Sequence, residues 1–385
     1  MQVYTGAPVF DGVRLVRGAA LVVDDGHVAG LVPMDKAPQA GRIALSGGVL
    51  MPGMIDLQVN GGGGIMVDGT LDSEGLAAIC ATHAALGATG ILPTLITDTA
   101  QATAHVITAG LAAAAKGVPG FLGLHLEGPH IDLRRKGAHD PALIRPMDQP
   151  DLDRLCDAAK RLPALMVTVA PEAVTLDQIA ALRDAGAVVS LGHSDCSTET
   201  AKRAFAAGAS CATHLFNAMS QLGNREPGLA GAVLTSEVFS GLIADGIHVA
   251  SDTMRVALAA RKDRMFLVSD AMSVAGTASS EFRLNGRRIL RRDGRLTLED
   301  GTLAGADLSL PQAVAVLIRA GVPEERVLAM ATSVPAEVMG LGHRIGHLAP
   351  GRQADMVHLD DGFRLTSVWL AGERIAPLPA EALNR

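Results

Sequence analysis

Apolar positions along the chain follow two rhythms. In the middle, short and almost uniformly apolar runs recur at 54–59, 90–95, 120–126, 164–169, 187–191, 210–215, 241–244 and 265–268. Stretches with helical spacing lie between most of them, over 74–86, 101–116, 151–161, 176–185, 198–207 and 252–260. Runs apolar on both faces, alternating with helices, predict a parallel sheet covered by helices. Eight such runs predict an α/β fold of the closed (β/α)8, TIM-like kind. An open doubly wound sheet is the weaker alternative, because no G-x-G-x-x-G follows the first run.

At both ends the rhythm changes to brief strands cut by turn residues. Residues 13–16, 20–23 and 28–32 lie among Asp11-Gly12, Asp25-Gly26 and Gly47-Gly48. Residues 355–359, 364–370 and 373–375 are separated by Asp361-Gly362 and Ala371-Gly372. Neither end buries enough to stand alone. The expectation is one small β-sandwich domain built from 1–47 and 346–385, with 48–345 as the barrel. Residues 277–305 carry Asn285-Gly286, Asp293-Gly294 and Asp300-Gly301, which predicts a meandering hairpin over one end of the barrel.

Composition narrows the partners. Hydrophobic residues make up 48% and charged residues 19%, enough for a large core and unlike a disordered chain. The net charge of −7 argues against nucleic acid, and 3% aromatics leaves few rings on which bases could stack. Cys80, Cys156, Cys196 and Cys211 form no C-x-x-C, so neither a disulfide framework nor a thiolate zinc site is expected. With no leader-like start and no long apolar run, a cytoplasmic protein without membrane contact is the expectation.

In such a barrel, chemistry sits where the strands end. Strand 3 ends in Glu127, strand 5 in His193, strand 6 in His214 and strand 8 in Asp270, while strand 7 runs into Asp245 and His248. Each alone has an ordinary structural reading. Four separate strands closing with such residues point to a site. A carboxylate and two imidazoles suit a catalytic divalent ion, zinc or a similar borderline metal, with a position left for water. Asp270 is then placed to act as general base and later general acid.

Gln58 and Asn60 share a face of the first strand, where a second metal would need imidazoles, and no lysine closes strand 4. One metal site is therefore expected. Gly61–Gly64 reads either as a backbone approach to an anion or as a plain turn. Arg225 reads as a solvated charge or a phosphate contact, and His139 as a loop residue or a donor to a carbonyl oxygen. His125 reads as support behind the ligands. A barrel that has lost its chemistry is the competing reading.

The motifs PGMIDLQVNGGGG (52–64), HLEGPHID with KGAHDP (125–141), LGHSD (191–195), THLFNAM (213–219), IADGIHV (243–249), VSDAM (268–272) and TLAGADLSL (302–310) run in one order over nearly the whole chain. In these the chain resembles the N-acetylglucosamine-6-phosphate deacetylases of the amidohydrolase superfamily. The resemblance implies metal-dependent hydrolysis of the N-acetyl group of N-acetyl-D-glucosamine 6-phosphate to D-glucosamine 6-phosphate and acetate, with another acetamido sugar or another amide as the alternative substrate. It implies one divalent ion per subunit, Zn2+ first and Fe2+, Co2+ or Mn2+ as alternatives, held by Glu127, His193 and His214. It gives Asp270 the acid/base role and His139, beside Ala138, the polarising role. Asn217, Ala218, Arg225 and His248 would contact the sugar phosphate, and Leu303-Ala304-Gly305 would close over it. It also implies a homodimer in which Arg225 reaches the partner's site. His130, Asp195, Cys196 and Asp307 depart from the usual pattern. An acid at 307 would repel a phosphate unless it points away, and a less phosphorylated sugar is the other way out.

Overall fold

Strands buried on both faces need helices on both sides of an open sheet or a barrel closed under a shell of helices, and the middle of the chain forms the barrel. The computed structural model describes residues 1–378, so the last residues of the expected end domain, 379–385, lie outside the described residues. Eight parallel strands pair in chain order: β1 (Met54–Val59), β2 (Ala88–Ile96), β3 (Leu124–Glu127), β4 (Leu165–Val169), β5 (Val188–Leu191), β6 (Cys211–Ala212), β7 (Phe239–Leu242) and β8 (Met265–Leu267). β6 is much shorter than the expected 210–215. The chain leaves the ladder there because His214 and Phe216 take left-handed backbone angles, φ 30° and 73°.

The seam between β8 and β1 carries no regular ladder. The buried Asp56 carboxylate closes it by accepting the Ser269 N–H at 3.2 Å. Just above, the Asn60 N–H donates to the Ala271 carbonyl at 2.8 Å. This stitch sets Asn60 beside Asp270. Burial pushes the Asp56 carboxyl up to about 7.

The outer helices Ser73–Ala85, Ala100–Ala115, Gln149–Arg161, Leu176–Asp184, Thr198–Ala207 and Ser251–Ala260 fall close to the expected spans. Asp72, Thr99, Asp148, Thr175 and Ser197 start five of them by accepting first-turn N–H groups. Helices Gly228–Leu234, Leu310–Arg319, Glu324–Met330 and Ser333–Val338 stand where no element was predicted. The last two pack near the barrel seam, in contact with β8 and, for Ser333–Val338, β1.

The two ends of the chain form a four-stranded and a six-stranded sheet, and the second mixes strands from both ends. Tyr4, Leu21, Val23, Leu50, Met356 and Trp369 fill the layer between them. Val49–Pro52 pairs with Met356–Leu359 in this sheet, directly before β1. The expected boundary at 47 falls one strand short, because Val49–Pro52 belongs to the second sheet, and we propose that the sheets fold as one end domain from 1–52 and 346–378, with 53–345 as the barrel. The insertion is a four-stranded antiparallel sheet, Glu281–Leu284, Arg287–Arg292, Arg295–Leu298 and Leu303–Ala306. Among the described residues no helix is long and apolar enough to cross a membrane.

Candidate active site

The C-terminal ends of the barrel strands open into a cavity of about 230 Å³. Asn60, Glu127, His139, His193, His214 and Asp270 form its floor. Asn217, Ala218 and His248 line one side, and Leu284, Thr302, Leu303 and Gly305 come from the insertion above. His193, His214 and Asp270 all have left-handed φ angles, 48°, 30° and 51°. Such angles cost about 1–3 kcal/mol each for residues with a side chain, and they recur at functional sites.

Glu127 is the hub. Its Oε1 lies 3.2 Å from His193 Nε2 and 3.1 Å from His214 Nε2. Gln58 Nε2 donates to both carboxylate oxygens at 3.2 Å. All four side chains are buried. Burial alone would raise the Glu127 carboxyl, but the two histidines hold it well below its ordinary range. Burial opposes the charged form of His214, yet Glu127 outweighs it and raises that imidazole.

The donor pattern shows what this corner fits. His193 Nδ1 donates to the Arg135 carbonyl at 2.8 Å, so in the neutral ring Nε2 turns a lone pair toward a carboxylate oxygen. Two lone pairs at that distance repel unless a cation or proton lies between them. His214 Nδ1 is buried with no partner. A buried Glu/His/His donor set of this kind fits a divalent metal. His139 belongs to the same crowd: ligand atoms of Glu127, His139 and His193 all lie within 4.8 Å of one another.

Asp270 faces this cluster from the far side of the floor. Asn60 Nδ2 donates to its Oδ1 at 2.6 Å. Burial, and then the Glu127 carboxylate, push its carboxyl up to about 6. His139 is buried and held well below its ordinary value by burial first and by its imidazole neighbours. Its Nδ1 lies 2.6 Å from Thr97 Oγ1, at the end of β2. Thr97 was not among the sequence candidates, since a threonine closing a strand carries no signal of its own. His248 Nδ1 lies 2.6 Å from Asp245 Oδ2, which fixes the ring at the rim.

Other expectations land elsewhere. Arg225 is exposed and does not line the cavity. Ala304 is fully buried in an apolar cluster with Ile96, Met272 and Leu296, whereas Leu303 and Gly305 reach the cavity. Asp307 points away from the site into a buried pair with Arg291 at 2.7 Å, so it repels nothing in the cavity. The Gly61–Gly64 tract takes the plain-turn reading. Gly63 and Gly64 N–H groups already donate to the Ala275 and Ser273 carbonyls, which leaves none of those two for an anion. His130 contacts the Arg145 carbonyl and Asp151, outside the cavity. Asp195 pairs with Arg135 at 2.6 Å, behind His193. His125 lies under the site and bonds the Leu57 carbonyl and the Thr168 hydroxyl.

Comparison with known proteins gives this arrangement a context. Residues 49–375 match the amidohydrolase family. An N-acetylgalactosamine-6-phosphate deacetylase of Shewanella sp. (strain ANA-3) is 37% identical over 381 residues, covering 97% of this chain and 95% of that protein. An N-acetylglucosamine-6-phosphate deacetylase of Haemophilus influenzae is 30% identical over 370 residues, covering 95% and 97%. The crystal structure of N-acetylglucosamine-6-phosphate deacetylase from Pasteurella multocida superposes with a TM-score of 0.93 at 31% identity, over 97% of this chain and 99% of that one.

Proposed function

The chain belongs to the amidohydrolase family, and from that premise we propose that it hydrolyses the N-acetyl group of N-acetyl-D-glucosamine 6-phosphate, giving D-glucosamine 6-phosphate and acetate. One observation carries the reading: Glu127, His193, His214 and Asp270 come from four different strand ends, and they meet in one cavity with His139. Glu127, His193 and His214 would hold one divalent ion, Zn2+ first and Fe2+, Co2+ or Mn2+ as alternatives. When bound, that ion supplies a Lewis acid and lowers the pKa of water.

The side chains of this protein account for the other steps. His139 faces the acetamide carbonyl and stabilises the negative charge that develops on its oxygen. Asp270, oriented by Asn60, takes the proton of the attacking water and returns it to the departing amine. Asn217, Ala218 and His248 receive the sugar phosphate, with His248 steadied by Asp245. Leu303, Ala304 and Gly305 belong to the segment that closes the cavity from above.

Among the described residues, none lining the cavity is Lys or Arg. A phosphorylated substrate favours a cation at its phosphate. This supports a homodimer in which the exposed Arg225 reaches into the partner's cavity. The four free cysteines support a reducing, cytoplasmic location.

A second reading, deacetylation of N-acetyl-D-galactosamine 6-phosphate, is favoured by the 37% identical Shewanella relative. Acetate release from both epimers, with and without the phosphate, separates the readings. The account expects release from the phosphorylated glucosamine derivative to be fastest and to stop with chelator. Faster turnover of the galacto epimer would move the assignment to the second reading, and no release from any of them would end both.

A further inference from the structure

The β2 end holds a hydroxyl that the proposed reaction leaves without a task. Thr97 is fully buried, and its backbone N–H points at His139 Nδ1 at 3.3 Å. An N–H can only donate, so this long contact favours a lone pair at Nδ1 without fixing it by itself. The Thr97 hydroxyl, 2.6 Å from the same nitrogen, then donates too. The opposite edge of the ring agrees. His139 Nε2 lies 3.9 Å from Glu127 Oε2, and a carboxylate favours an N–H facing it over a lone pair. The surroundings leave room for the hydroxyl: a Cβ on Gly128, at φ +81°, would sit 2.2 Å from Thr97 Oγ1.

We propose that Thr97 is a positioning residue that locks His139 in the tautomer whose Nε2–H faces the cavity. This inference rests on the deacetylase reading above. It gives His139 a fixed job. A ring whose Nε2 carries hydrogen has no lone pair for a metal, so His139 stays outside the ligand set despite its closeness to Glu127 and His193. The same Nε2–H is the donor that the acetamide oxygen needs as it gains negative charge. Thr97 never touches substrate; it decides which hydrogen-bonding face His139 offers.

The test uses the full chain loaded with zinc, and the variants Thr97→Val, Thr97→Ser and His139→Ala. Thr97→Val removes the strong donor and keeps the shape. It should lower kcat on the phosphorylated acetamido sugar by about 10–100-fold, the usual cost of losing a support behind a functional histidine, with a much smaller change in KM. Thr97→Ser should restore most of the rate. The ¹⁵N imidazole spectrum, with His139 identified by its loss in His139→Ala, should show Thr97→Val moving His139 from one neutral tautomer to a mixture. In the His139→Ala background, Thr97→Val should cost nothing further.

An unchanged tautomer and rate in Thr97→Val would overturn the proposal. So would an equal loss of rate in the His139→Ala background, because Thr97 would then act on something else. If the wild-type chain deacetylates no amino-sugar phosphate, the functional reading fails, and the tautomer spectrum still decides the role of Thr97.

Discussion

The floor of the cavity is made of strand ends and carries Asn60, Glu127, His193, His214 and Asp270, whereas its roof is an inserted sheet that offers Leu284, Thr302, Leu303 and Gly305. Floor residues hold each other through charge and hydrogen bonds: Gln58 on Glu127, Asn60 on Asp270, the Arg135 carbonyl on His193. The roof is held by apolar packing of Leu284, Ile289 and Leu296 against Ile96, Met272 and Val274. Two polar ties add to it, from Arg287 to the Ala138 carbonyl and from Arg291 to Asp307. In the proposed reaction the floor supplies the groups that move protons and hold charge, and the roof supplies the shape that encloses the substrate. Changes to the floor should therefore fall on kcat and metal content, and changes to the roof on KM and stability.

The largest effect should come from Asp270. Asp270→Asn keeps a partner for Asn60 but removes the proton acceptor, and kcat should fall by at least about 10²–10⁴-fold. Metal content should stay near that of the wild type, measured by elemental analysis. Near-normal turnover would remove Asp270 from the chemistry.

Glu127→Ala should strip the ion, because His193 and His214 both converge on this carboxylate. Bound metal should fall to background after dialysis while the circular dichroism spectrum is retained. On the roof, Asp307→Ala should leave Arg291 buried without its counter-charge, destabilising the protein by about 3–5 kcal/mol. A denaturant titration reads this, and kcat should change little in the surviving folded protein. If kcat instead collapses with stability intact, the roof takes part in the chemistry and the contrast is wrong. The smallest effect belongs to Leu303→Ala, which trims a cavity wall. It should raise KM by about tenfold or less and leave kcat nearly alone, since binding lost equally in ground and transition states appears in KM.

The same contrast explains what could be read from the sequence. The barrel was legible because a strand buried on both faces leaves an unbroken apolar run, and 54–59 matches β1 residue for residue. The floor was legible because an ionisable residue at the end of such a run stands out. Thr97 did not, since its role depends on His139, which a loop brings across from another strand. Asp307 raised a doubt that sequence could not settle, because Arg291 is a neighbour only after the insertion folds into a sheet. The helices Leu310–Arg319, Glu324–Met330 and Ser333–Val338 were missed for a related reason. Their apolar faces follow the insertion, where the strand–helix rhythm had already been interrupted. Arg225 lies on the surface, outside the cavity, and the proposed role across a dimer is one that a single chain does not display.

Metal stoichiometry of the purified full chain tests the floor most directly. The account predicts one tightly bound divalent ion per chain, lost together with acetate release on chelation and restored by adding Zn2+. Two ions per chain, or hydrolysis that continues at full rate with none, would contradict it.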